Sequence, residues 1–242
     1  MIQKRMLIPV ILILAGALLF PAVTRSTKVF PVSAQGGLTL KNVNGKIELS
    51  THDRGEIRVI IEKIAATKKE LDEVKVRMNV ENDHLNVDVK RLKRTTKTRV
   101  NFQVVVPRGL GRVELESVNG RVYSRGDLGA LTLESVNGSV NQKGLFSKGS
   151  FSTVNGSIEV VHPAALAGGI SARSVNGAIQ LEVAKSSDFQ VNAATMNGSI
   201  RTDFKLPVNK RLVGKYIHGS VGAGKHVVQV KTVNGGIKIL AI

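Results

Sequence analysis

Residues 113–122 read Val113-Glu114-Leu115-Glu116-Ser117-Val118-Asn119-Gly120-Arg121-Val122. Val113, Leu115 and Ser117 fall on one side of an extended chain, and Glu114 and Glu116 on the other. Asn119-Gly120 breaks the alternation, and Val122 resumes it. The same phrase returns along the chain at Asn44-Gly45, Asn119-Gly120, Asn137-Gly138, Asn155-Gly156, Asn176-Gly177 and Asn234-Gly235, each preceded by Val. Asn197-Gly198 follows Met, and His218-Gly219 takes the same place after Ile217. From Asn119 onward the steps are 18, 18, 21, 21, 21 and 16 residues. A fixed period near twenty marks stacked repeats.

The flanks of each copy agree. Four residues before the Asn stand Leu40, Leu115, Leu133 and Phe151 in the first copies; two before stand Ser117, Ser135, Thr153, Ser174, Thr195 and Thr232. Three after stand only Val or Ile. Period-two alternation with β-branched residues predicts strands with one buried face, and Asn-Gly predicts a sharp turn through φ > 0. Two architectures fit. Asn-Gly between alternating strands is a hairpin signal, which would give a meander. Alternatively each repeat is one coil of a β-solenoid with Asn-Gly at a corner. The regular period and constant register favour the solenoid, which would put the Asn column in a ladder. Its other corner would fall at the Gly-rich stretches 126–129, 144–149 and 168–169. The fold expected is therefore all-β: a single-chain β-solenoid of about 18–21-residue coils, preceded by an antiparallel strand region with one short helix. In that region 55–64, 74–80, 85–89 and 100–106 alternate as strands. Thr67-Lys68-Lys69-Glu70 is a capping-box pattern opening a helix through Val74.

Composition narrows the function. The chain has 242 residues, a net charge of +17, 4% aromatics and no cysteine. That excludes disulfides, thiolate metal sites and cysteine nucleophiles, and it suits a thin repetitive core better than a deep catalytic pocket. Lys4 and Arg5 precede the uncharged stretch 6–23, so 1–25 reads as a signal peptide or N-terminal membrane anchor. The remaining 28–242 reads as one domain, strand-rich over 28–107 and repetitive over 108–242.

Phe30-Pro31-Val32-Ser33, Gly36-Gly37-Leu38 and Val43-Asn44-Gly45 resemble the start of the bacterial putative adhesin family (domain of unknown function 4097). Residues 104–109, running into Ser117-Val118-Asn119-Gly120, resemble its middle, and the serial Val-Asn-Gly copies resemble its C-terminal half. The resemblance implies a β-solenoid-like envelope or surface protein and brings no catalytic residues.

Local chemistry is sparse. Gly219 to His226 has P-loop spacing, but His226 stands where Ser or Thr would hold Mg²⁺, and the next residues read as strand. Its small residues read as a solenoid corner. The five histidines lack metal-ligand spacing, and no cofactor is expected. The densest feature is the segment 90–99, where Lys90, Arg91, Lys93, Arg94, Lys97 and Arg99 put six cations in ten residues. Such a loop either guards a sheet edge or contacts polyanions. The partners expected are an anionic envelope polymer, lipid headgroups or a protein; nucleic acid is not expected, for want of stacking aromatics. The function expected is a non-enzymatic, exported or membrane-anchored interaction surface. The alternatives are a polysaccharide-acting enzyme on a solenoid face or an accessory sensor in an envelope-stress system.

Overall fold

The computed structural model describes residues 21–92, 97–210 and 212–242. The chain winds into a solenoid of two facing sheets over one core. Its first part holds β1 (Ala22–Pro31), β2 (Gly37–Asn44), β3 (Ile47–His52), β4 (Glu56–Ala65), α1 (Lys68–Asp72), β5 (Val74–Glu81), β6 (His84–Arg91) and β7 (Arg99–Pro107). The regular windings follow as pairs flanking each Asn-Gly: β8 (Arg112–Asn119) with β9 (Val122–Arg125), β10 (Leu128–Asn137) with β11 (Val140–Lys143), and β12 (Phe146–Asn155) with β13 (Ile158–His162). Next come β14 (Ile170–Asn176) with β15 (Ile179–Val183), and β16 (Phe189–Asn197) with β17 (Ile200–Thr202). The chain ends with β18 (Asn209–Lys210), β19 (Lys215–Val221), β20 (His226–Asn234) and β21 (Ile237–Ala241).

One sheet runs β1-β4-β7-β3-β9-β11-β13-β15-β21-β17, and the other β18-β19-β16-β20-β14-β12-β10-β8-β2-β6-β5. The repeats pair in parallel and in register: Leu133 lies between Leu115 and Phe151, and Val140 between Val122 and Ile158. These inward residues are fully buried and form one continuous core, while the alternate residues face solvent. The solenoid is therefore the architecture, and the meander is not.

The winding of Asn44 stacks directly on that of Asn119, since β2 pairs with β8 and β3 with β9. The intervening strands are divided between the two sheets and extend both at one end, with antiparallel pairs β1–β4, β4–β7 and β5–β6. The helix is one turn and stops at Asp72. Thr67 Oγ1 accepts from Glu70 N–H at 3.3 Å, and the Glu70 carboxylate accepts from Ala66 N–H at 3.1 Å. Val74 already starts β5.

One expectation about the last windings is corrected. His218-Gly219 is not a corner: it lies inside β19, which runs antiparallel to β16 with His218 opposite Asn192. The alternation around Ile217 suits an antiparallel strand equally well, so spacing alone mistook it for a copy. The stack also departs from chain order, because β20 enters between β14 and β16. Val230 thereby sits between Ala172 and Ala193. Stacking in chain order would put the two alanines together and leave a void, which dense interiors avoid.

Candidate functional site

The Asn-Gly corner is built from two repeated hydrogen bonds. Side-chain amides form a continuous ladder: Asn119 donates to Asn44, Asn137 to Asn119, Asn155 to Asn137, Asn176 to Asn155, Asn234 to Asn176 and Asn197 to Asn234, all at 2.8–2.9 Å. The hydroxyl two residues before each Asn donates to the Gly carbonyl of the neighbouring winding, as Thr153 does to Gly138 at 2.9 Å. In the first winding Asn42 replaces the hydroxyl and donates to the carbonyls of Gly45 and Val100.

Close approach explains the glycines better than turn angle does. Of the repeat glycines only Gly45 has positive φ, at 120°. The others lie against a neighbouring backbone: a Cβ on Gly177 would stand 1.8 Å from Gly156 O, and one on Gly120 2.0 Å from Gly45 O. At the opposite corner of the windings Gly126 and Gly144 do have positive φ, at 118° and 131°.

The corner ends in a basic depression of about 530 Å³, lined by Lys46, Lys97, Arg99 and Arg121 beside the Asn44 and Asn119 amides. All four cations are exposed. Lys46 pairs with Glu48 at 2.8 Å, and Arg121 donates to Ser139 Oγ at 3.1 Å. Among the described residues neither Lys97 nor Arg99 is paired with a carboxylate. The basic segment thus contributes unevenly. Lys97 and Arg99 reach the depression, and Lys90 lies opposite Lys75 on β6. Arg91 donates to Thr98 O at 3.1 Å beside the amide of Asn44, and burial lowers its pKa. Lys93 and Arg94 lie outside the described residues. Lys46 and Arg121 were missed, because each stands alone in the sequence.

A second feature runs along the same corner. The residue preceding each Asn is the outward one: Val43, Val118, Val136, Val154, Val175, Val233 and Met196 form a single-file apolar stripe across seven neighbouring strands. At about 4.8 Å per strand it is roughly 29 Å long. Val118, Val136 and Val154 are each 40% exposed. The stripe floors a groove of about 830 Å³ with Lys41, Glu116, Glu134, Arg173 and Lys231 along its rim. At the rim Lys41 Nζ lies 2.8 Å from Glu116 and 3.8 Å from Glu114. The neighbouring Glu116 carboxyl, and then partial desolvation, raise the pKa of Glu114. Desolvation also pushes Glu116 up, but the hydrogen bond from Lys41, with Glu114 beside it, brings it below the ordinary value.

The remaining candidates serve the fold. Gly222 and Gly224, both left-handed, form the turn from β19 to β20. Its amide concavity is filled from within by Asp188, whose carboxylate accepts from Lys225 N–H at 2.9 Å. No helix follows, only β20. His52 contacts Glu56 O, His84 contacts Thr39 Oγ1, and buried His162 contacts Ala164 O. His218 contacts Asn192 Oδ1. Among the described residues no group of three or more His, Asp or Glu could hold a metal.

The family model described as Toastrack DUF4097 matches residues 29–240. No curated protein matches the chain. Among solved structures, a "putative cell adhesion protein" of Clostridium sporogenes is similar at 12% identity, with 91% of this chain and 100% of that chain covered and a TM-score of 0.53. A "putative adhesin" of Bacteroides fragilis is 14% identical over 89% of this chain and 97% of that chain, with a TM-score of 0.45. At 12% identity the likeness to the Clostridium sporogenes protein is one of fold.

Proposed function

The chain belongs to the Toastrack DUF4097 family, and from that premise we propose that it is a non-catalytic interaction scaffold, exported or membrane-anchored, whose basic corner takes an anionic polymer. The observation that carries the reading is the convergence of Lys46, Lys97, Arg99 and Arg121 on one depression. They come from three separate segments, so the fold concentrates charge that the sequence disperses. Stacked windings make a rigid support, and like charges held together attract a polyanion by releasing its counterions. Export rests on the basic start and the uncharged stretch 6–23. Among the described residues no helix is long and apolar enough to cross a membrane.

The carboxylates Glu114 and Glu116 are the feature a glycosidase reading would use. Both are engaged by Lys41, whose Nζ lies 2.8 Å from Glu116 and 3.8 Å from Glu114. A cation held between two surface carboxylates is an ordinary ion-pair cluster, so the non-catalytic reading is preferred.

The test is binding of dextran sulfate, a soluble polyanion, at rising salt. Native protein should bind at low salt and release as salt rises. A triple substitution, Lys97→Ser with Arg99→Ser and Arg121→Ser, should weaken binding at least tenfold while the melting temperature holds. Undiminished binding by that variant would remove the basic corner from the account.

A further inference from the structure

The opposite end of the stack carries a feature of a different kind. Strands β18 and β19 form a short hairpin at the free margin of their sheet, with Lys210 directly opposite Lys215. Like charges facing each other across a strand pair are unfavourable for the hairpin itself. The tip carries Leu212 and Val213, exposed to 108% and 63%, and Gly214 turns the chain at φ 90°. Lys205 is exposed on the approach, and the sequence adds Arg211 between Lys210 and Leu212. Among the described residues no winding lies beyond β18 to cover the tip. Val213 and Lys215 also line the end of the valine groove, so the apolar surface continues from the tip toward Met196.

We propose that this hairpin is a membrane-contact tip: Leu212 and Val213 enter the interface of an anionic bilayer while Lys205, Lys210 and Lys215 lie level with its phosphates. The shape selects the partner. A soluble polyanion would satisfy the lysines and leave the apolar pair in water. A bilayer satisfies both, because apolar side chains reach past the headgroups while cations stay among them. The facing lysines then have an anion between them, which offsets their repulsion. This inference does not rest on the basic corner, which lies about seven strands, or roughly 34 Å, away along the stack.

The chain lacks cysteine, so one introduced thiol can carry a dye. The full chain bearing Leu212→Cys, labelled with an environment-sensitive nitrobenzoxadiazole, is mixed with vesicles of phosphatidylcholine with or without phosphatidylglycerol. The same dye at exposed Ser157, as Ser157→Cys in the middle of the stack, is the comparison. The stretch 6–23 could itself bring the chain to vesicles, so the readout is local rather than total binding. With anionic vesicles the dye at 212 should brighten at least threefold, shift to the blue and be quenched by lipids brominated in their chains. The dye at 157 should not respond. Adding Lys210→Ser and Lys215→Ser should abolish most of the gain. Any of four results would overturn the proposal: no change at 212 on vesicles, equal change at 157, equal brightening with dextran sulfate or neutral vesicles, or a gain indifferent to the lysine substitutions.

Discussion

Asn119 donates its Nδ2–H to Oδ1 of Asn44 at 2.9 Å, although 75 positions separate them in sequence. That bond joins the first winding to the serial ones, and it is one rung of a chain of amides in which every interior member both donates and accepts.

The ladder predicts unequal rungs. Asn155 accepts from Asn176 and donates to Asn137, whereas Asn197 donates to Asn234 at the end of the ladder. At about 1 kcal/mol net per hydrogen bond, Asn155→Ala should cost about 2 kcal/mol and Asn197→Ala about half that. Asn155→Asp should cost at least as much as Asn155→Ala, since a carboxylate cannot donate to Asn137. Urea denaturation checks the order, and equal losses at the two positions would dissolve the ladder argument.

Gly177 and Gly109 separate close approach from backbone angle. A Cβ on Gly177 would collide with the Gly156 carbonyl, while one on Gly109 meets nothing within 4 Å but requires φ of 75°. Gly177→Ala should therefore cost more than about 3 kcal/mol, as overpacking against a fixed backbone does. Gly109→Ala should cost only about 1–2 kcal/mol, the left-handed penalty. Thermal melts of the two variants would reverse this order if turn angle were the main constraint.

The corner register was legible in the sequence because Asn-Gly and the alternation around Leu115 fix both the turn and the buried face. The order of stacking was not. Every copy ends in the same corner, so nothing in Asn234 says that it seats between Asn176 and Asn197 rather than beyond Asn197. The reason lies in the core column, where Val230 fits between Ala172 and Ala193. The valine stripe was implicit in the alternation, since Val118 falls in the outward phase with Glu116. Grouping Lys46 and Arg121 with Lys97 and Arg99 needed the fold, because pairing of distant strands brings them together.

Inserting β20 should make the last windings one cooperative unit. Val230→Ala opens a void between two alanines and should cost about 2–3 kcal/mol. Because β20 touches both neighbours, amide protection should fall in β14 and β16 together. In a stack following chain order a lesion would spread from one repeat to its sequence neighbour. Hydrogen exchange showing β14 weakened and β16 untouched would count against this coupling.

Gln142 is a defect in the core. It is buried between Ser124 and Val160 in a column that also holds Leu49, Leu181 and Ile239, and neither its amide oxygen nor its nitrogen has a partner among the described residues. Unsatisfied buried polar atoms cost about 1–3 kcal/mol. Gln142→Leu should therefore raise the unfolding free energy by that order, and the denaturation midpoint with it. A lower midpoint would mean that the amide has a partner, such as an internal water.

Asp188 controls how β20 reaches its place. The turn at residues 222–225 carries the chain from β19, on one side of β16, to β20 on the other, and Asp188 immediately precedes β16. The Lys225 N–H bonded to its carboxylate lowers its pKa most, despite slight desolvation; Gly224 and Ala223 N–H and the nearby His226 act in the same direction. A folded pKa below the unfolded value of about 3.9 means that this contribution is present above that value. It is lost as pH falls below it through the folded pKa. Asp188→Ala should thus lower the urea midpoint at about pH 6, and the gap to native protein should close as pH falls through the folded pKa of the native carboxyl. Asp188→Asn keeps an acceptor oxygen without the charge, so its deficit at pH 6 should be smaller and should also narrow in acid. A deficit for Asp188→Ala that stays constant as pH falls through that folded pKa would show that shape alone, and not the ionised carboxylate, holds the crossing turn over β16.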